Sequence, residues 1–446
     1  MNSRVFLIPA FVVCLVLTAV GILLLQRFDP EGSAVSGTGK AVQSDLPAGE
    51  SRVPERESVP AYEPEMAAEA AETEVETPEP ESASELTLEN LRKKLVRVGA
   101  WENEALLSFA DAKSLADFIA LAKSLGIEIS GPFGDALTIR ARFDSLETLY
   151  DLLKSSGLGL PFVDPNFFVT IPRITPPEEA AGEGKAPFDD MLFKSLGIPD
   201  DADRSAWGTG VTVAVIDSGI SDHPTFREGQ VTRIDLVGED VPLHGHGTAM
   251  ASLIAGREGI APGAKLVDIR IAGENGLSDS FLLAQGLQTA IDRGADVVNI
   301  SLGTYGNAPL VQTLVAEAQK KGLLIVAPVG NENVELKAWP AAYPGVISVS
   351  GVDANDQIAY FSNTGGPTLA APAVGIISAY YAEQKALLIH GNGTSQAAAL
   401  VSGSMALMKS RGLNPTRALT SNARYVRGGK VNYGAGVLHL PVSVTR

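Results

Sequence analysis

Within residues 191–446 the chain alternates short, continuous apolar runs with longer stretches whose apolar residues return every three or four positions. The runs are VTVAVI (211–216), KLVDIRI (265–271), DVVNISL (296–302), LLIVAPV (323–329) and GVISVSGV (345–352). Between them, Leu282 to Arg293 and Leu310 to Lys321 have helical spacing. Strands without a polar face are covered on both sides, so the pattern predicts an α/β fold, a parallel sheet with helices on both faces. Residues 89–173 read differently. A strand is expected at Leu106 to Phe109, and Leu115, Phe118, Ile119 and Ala122 share one helical face. Leu137, Ile139, Ala141 and Phe143 alternate as in a half-buried strand. Asp144 and Glu147 resemble a capping box opening a second helix on Leu146, Leu149, Tyr150 and Leu153. With a last strand in PFVDPNFFVTI, the order is that of a small α+β unit, a split βαβ sandwich with one strand left unassigned.

Ahead of both units the pattern disappears. Val5 to Leu25 is a run of 21 residues without a charge, bracketed by Arg4 and Arg27. At about 1.5 Å per residue a helix of that length spans a hydrocarbon core of roughly 30 Å. The only small-x-small site, Ala19-Val20-Gly21, is followed by the apolar Ile22 to Leu25. An uncleaved signal anchor, a transmembrane helix within residues 1–27, is therefore expected, with the rest of the chain exported. Residues 28–88 hold fifteen acidic and three basic residues, so this segment carries −12 of the net charge of −17. Rich in Glu, Pro and Ala, it reads as an extended, disordered tether. Net acidity argues against nucleic acid as a partner. A second linker, 174–190, overlaps PRITPPEEAAGEGKAPF (172–188) and leads into a unit spanning 191–446. The single cysteine, Cys14, excludes an intrachain disulfide and a cysteine-built zinc site.

Parallel sheets collect their chemistry at the carboxyl ends of strands, and three polar groups fall there or at a helix start. Asp217 ends VTVAVID, His246 lies in HGHGTAMASLIAG, and Ser395 lies in GNGTSQAAALVSG. Taken singly, each has a plain explanation: a turn aspartate, a structural histidine, and a serine capping a buried helix. Taken together they are what acyl transfer requires. A serine hydroxyl needs a base, imidazole serves near neutral pH, and a buried carboxylate fixes the imidazole tautomer. Asn331, in PVGNEN at another strand end, carries an amide able to donate to an oxyanion beside the Ser395 N–H.

VAVIDSGI, HGHGTAMA and GNGTSQAAALVSG resemble the aspartate, histidine and serine motifs of the subtilisin-like (subtilase) serine peptidases, and PVGNEN resembles their oxyanion segment. The resemblance implies a subtilisin-like fold, peptide-bond hydrolysis, and Asp217, His246 and Ser395 as the catalytic triad. It also implies Asn331 in the oxyanion hole and Ser301, Leu302 and Gly303 lining the groove for polypeptide substrates. Further groove residues are expected between Gly276 and Phe281, and the Ser395 hydroxyl is expected to be partly exposed. His244, His223, His390 and His439 receive no catalytic role. No metal or other cofactor is expected: LIAGREGIAPGA leaves no room for the calcium loop of many relatives. Ala399 stands where the family usually has proline. Residues 89–173 resemble a subtilase prodomain, implying an intramolecular chaperone and inhibitor. The rival reading from a different class is a catalytically silent subtilase fold used as a binding module. A nucleotide-binding protein is excluded by the lack of a phosphate loop after any predicted strand.

Overall fold

The computed structural model describes residues 85–133, 137–159, 162–172, 183–238, 241, 243–382 and 385–445. The expected anchor at 5–25, most of the acidic tether and residues 174–182 of the second linker lie outside them. Among the described residues no helix is long and apolar enough to cross a membrane.

The small unit runs α1 (Leu88–Leu95), β1 (Ala100–Leu107), α2 (Ala112–Ser124), β2 (Glu128–Phe133), β3 (Thr138–Arg142), α3 (Leu146–Ser156) and β4 (Val163–Thr170). β1 lies between β3 and β4, antiparallel to both, and β2 pairs with β3. Leu115, Phe118 and Ala122 of α2 and Leu149, Leu152 and Leu153 of α3 pack on Leu107, Ile139 and Ala141 of the sheet. The unassigned strand is β2. None of its residues is buried and it contains Gly131-Pro132, so it has no apolar alternation to read. The cap of α3 is Ser145, not Asp144. Its extended backbone carries the hydroxyl over the first turn, where it accepts from the Thr148 N–H at 3.2 Å.

The larger unit continues with β5 (Thr212–Asp217), β6 (Val231–Asp235), α4 (His246–Ala255), β7 (Lys265–Arg270), β8 (Leu277–Asp279) and α5 (Ser280–Asp292). Then come β9 (Val297–Ile300), α6 (Pro309–Lys320), β10 (Leu324–Pro328), β11 (Ile347–Val352) and β12 (Leu369–Pro372). A hairpin of β13 (Ile376–Ala382) and β14 (Lys385–Gly391) precedes α7 (Thr394–Ser410). Seven strands form a parallel sheet in the order β12-β11-β10-β9-β5-β7-β6. Alternation on β5 shows why both faces must be covered. Val213 and Val215 enter a core shared with α4 and α7, whereas Ala214 and Ile216 enter one shared with α5 and α6. β5 has β7 on one side and β9 on the other, so the connections leave it in opposite directions and open a crevice at its carboxyl end.

The second linker ends earlier than expected. The Ala186 N–H donates to Asp353 Oδ2 at 3.1 Å, the Phe188 N–H donates to the Val374 carbonyl at 2.9 Å, and the Phe188 side chain is buried in the core. Burying that ring gains more than leaving the segment free.

β4 also pairs antiparallel with β8, giving the five-stranded order β2-β3-β1-β4-β8 across both units. Arg140 of the small unit meets Asp279 at 2.7 Å, both buried. Asn166 receives the Phe281 N–H and the Ser280 hydroxyl at the start of α5, and its own amide donates to Glu104 at 2.6 Å. Arg142 pairs with the same Glu104 at 2.8 Å. Each buried charge in this contact has a partner, as burial requires.

Candidate active site

Asp217 is the last residue of β5, fully buried. Its Oδ1 accepts from the Ser218 N–H at 2.7 Å, and the two carboxylate oxygens lie 2.9 and 3.0 Å from His246 Nδ1. A carboxylate has no proton to give, so Nδ1 carries the hydrogen and Nε2 keeps its lone pair. That is the tautomer a general base needs. His246 opens α4, and the next residue must be glycine: a Cβ on Gly247 would stand 2.5 Å from the Gly219 carbonyl oxygen. The short side of α4 thereby closes onto the turn that follows Asp217.

Ser218 has a role here that its sequence position does not announce. Its hydroxyl accepts from the Gly247 N–H at 3.1 Å and lies 2.9 Å from the His244 carbonyl, tying the aspartate turn to the histidine helix. His244 Nδ1 accepts from the His246 N–H at 3.2 Å. Burial, then the neighbouring His246 charge, push His244 below the ordinary histidine value and favour this neutral acceptor form.

Ser395 sits in the first turn of α7, the helix that packs against α4. It is not the helix cap. That position belongs to Gly393, whose φ of 144° a side chain would resist. Contrary to expectation its hydroxyl is not exposed: Ser395 is 3% accessible, and Oγ donates to the Ser301 carbonyl at a long 3.4 Å. Ala399 is buried within an unbroken α7.

Asn331 follows β10. Its Oδ1 accepts from the Thr394 N–H at 3.0 Å and the Thr394 hydroxyl at 2.8 Å, which aims Nδ2 the other way. There Nδ2 meets the carbonyl oxygen of Pro172 at 3.5 Å. Glu332, the residue after Asn331, is equally unannounced by the sequence GNEN. Its Oε2 accepts from the Asn331 N–H, from Asn363 Nδ2 and from the Tyr305 hydroxyl. Burial raises its carboxyl above the ordinary glutamate value.

The groove is occupied by the chain itself. At the end of β4, Thr170 and Gly303 exchange both N–H···O bonds at 2.9 Å, and just beyond it the Ile171 N–H donates to the Gly276 carbonyl at 3.0 Å. Of the expected groove residues, Gly303, Gly276 and Leu277 to Asp279 therefore contact this strand through their backbones. Ser301 contributes its carbonyl, while its hydroxyl accepts from Asn299. Leu302 is buried in the core beneath. Among the described residues no group of three or more His, Cys, Asp or Glu is arranged to hold a metal.

Asp268 lies on β7 beside Val215. Its Oδ2 accepts from the Ile220 N–H at 2.8 Å, and Oδ1 has no hydrogen-bond partner among the described residues. Burial pushes its carboxyl up to about 7; the Ile220 N–H and Arg233 oppose the rise, and Asp217 and Asp235 add to it. Unfolded aspartate titrates near 3.9, so the folded state holds an extra proton between about pH 4 and 7. Stability accordingly falls as pH rises through that window, and above it the whole penalty, about 4 kcal/mol, is present. Asp268→Asn is expected to flatten melting temperature against pH from 4 to 8 and to melt above wild type at pH 8. An unaltered pH dependence would mean that Asp268 ionises normally.

The sequence profile of the subtilase family matches residues 208–427. The thermostable alkaline protease of Halalkalibacterium halodurans is 34% identical over 250 residues, 53% of this chain and 68% of that protein. Subtilisin Savinase of Lederbergia lenta is 33% identical over the same length, 91% of that protein. Among solved structures, fervidolysin from Fervidobacterium pennivorans, described as a keratinolytic enzyme related to subtilisin, superposes with a TM-score of 0.65 at 23% identity. The superposition covers 79% of this chain, more than residues 191–446 supply, and 62% of fervidolysin.

Proposed function

The chain belongs to the subtilase family and is a subtilisin-like serine protease, and from that premise we propose that it cleaves internal peptide bonds through an acyl-enzyme formed on Ser395. His246 accepts the serine proton and then delivers it to the leaving amine, while Asp217 holds the imidazole. Asn331 Nδ2 and the Ser395 N–H stabilise the oxyanion. One observation carries this reading best: Asn331 Nδ2 faces a carbonyl oxygen of a strand seated antiparallel in the groove. A substrate held in that register presents its own carbonyl in the same position.

Residues 89–173 then act as a prodomain. Their last strand fills the groove, and the Arg140–Asp279 and Asn166–α5 contacts hold the domain in place. Residues 5–25 anchor the exported chain, supported by their length and lack of charge. Fractionation tests the anchor, and full-length chain absent from membranes would refute it.

Asn331→Ala is expected to lower kcat by roughly 10²–10³ with little change in KM, a magnitude that comes from subtilisin itself. Steady-state kinetics on a peptide amide checks it. A change confined to KM would make Asn331 a substrate-binding residue instead.

A further inference from the structure

Thr170 and Gly303 form a hydrogen-bonded pair of an antiparallel ladder, since each donates to the other at 2.9 Å. In such a ladder the next pair of this kind lies two residues further along each strand. That pair is residue 172 with Ser301, and the N–H of residue 172 belongs on the Ser301 carbonyl. Residue 172 is proline, which has no N–H. The Ser301 carbonyl accepts instead from Ser395 Oγ at 3.4 Å. The Ile171 N–H donates to the Gly276 carbonyl, and the Pro172 oxygen turns to Asn331 Nδ2.

We propose that Pro172 is a built-in brake on self-cleavage: it presents its carbonyl to the site while leaving the last ladder bond unmade and the nucleophile bonded to Ser301. This rests on the reading of Ser395 as nucleophile and of the small unit as prodomain. Cleavage proceeds when Oγ attacks the Pro172 carbonyl carbon and its proton passes to His246. The bond from that carbon to the nitrogen of residue 173 then breaks, the proton goes to this nitrogen, and water hydrolyses the ester. Any other residue at 172 supplies an N–H for the Ser301 carbonyl, which then competes with the long bond from Ser395 Oγ for that acceptor. Proline also fixes φ near −65°, short of the more extended value of an antiparallel strand. The same register predicts that the processed enzyme disfavours proline on the amino side of the bond it cuts.

The test uses the full chain as wild type, Pro172→Ala and Pro172→Gly, each made both with Ser395 intact and with Ser395→Ala. Loss of full-length protein is followed on gels, and the product is sequenced from its N-terminus. Both substitutions at 172 restore an N–H, and each is expected to speed conversion about tenfold, the upper range for one recovered hydrogen bond. The product begins at residue 173 in every case, and the chains carrying Ser395→Ala stay intact with matching melting temperatures. Ser395-dependent conversion at the wild-type rate in both variants, or a first cut elsewhere, would overturn the brake and leave the nucleophile assignment standing. Chains that stay intact in all forms while the protease cuts added peptides would also overturn it. Equal cutting with and without Ser395 would remove the nucleophile assignment and the brake together.

Discussion

Ser395→Ala is expected to reduce kcat about 10⁶-fold, the loss known when the nucleophile of subtilisin itself is removed. The hydroxyls of Ser301 and Thr394 are already bonded, to Asn299 and Asn331. Stability should hardly change, because the lost hydrogen bond is 3.4 Å long and its acceptor is a carbonyl with a second lone pair. The check has two parts: kcat on a peptide amide, and labelling by a fluorophosphonate, which reacts only with an activated serine. Labelling of the alanine variant, or turnover near wild type, would sink the assignment. An unlabelled wild-type protein would leave the silent binding module as the better reading.

Asp217→Asn should cost about 10⁴-fold in kcat with the fold retained, the scale known for the equivalent change in a serine-protease triad. The carboxylate accepts from the Ser218 N–H as well as from His246. An asparagine keeps its oxygen on Ser218 and turns its NH₂ toward Nδ1. Nδ1 must then accept, the ring proton moves to Nε2, and the atom that should take the serine proton is already protonated. Kinetics on a peptide substrate, with circular dichroism as the fold control, tests this. A loss below about tenfold would mean that another group orients His246.

The residues proposed to do the chemistry were legible because each stands at an element boundary that the hydrophobic pattern marks. Asp217 ends an apolar run, Asn331 follows one, and His246 and Ser395 each stand where a helix of small residues begins. Their supporting partners were not legible. Ser218 acts through contacts with residues 26 and 29 positions away, and nothing in its neighbours announces them. β6 escaped notice because none of its five residues is fully buried, as befits an edge strand. β8 has three residues and exists only because β4 pairs with it. Nor does the stretch around Asn331 announce what its amide faces, because Pro172 stands 159 positions earlier in the chain.

The strand seated in the groove has a consequence for how activity depends on concentration. While the chain is continuous, the occupant and the groove belong to one molecule, and their encounter has an effective molarity that dilution does not alter. A cut after Pro172 makes the two parts separate solutes. Occupancy is then set by total protein against a dissociation constant, so a dense population of cut molecules stays quiet and a dispersed one does not. On the proposed reading, latency in the uncut chain belongs to each molecule, whereas after the cut it belongs to the solution.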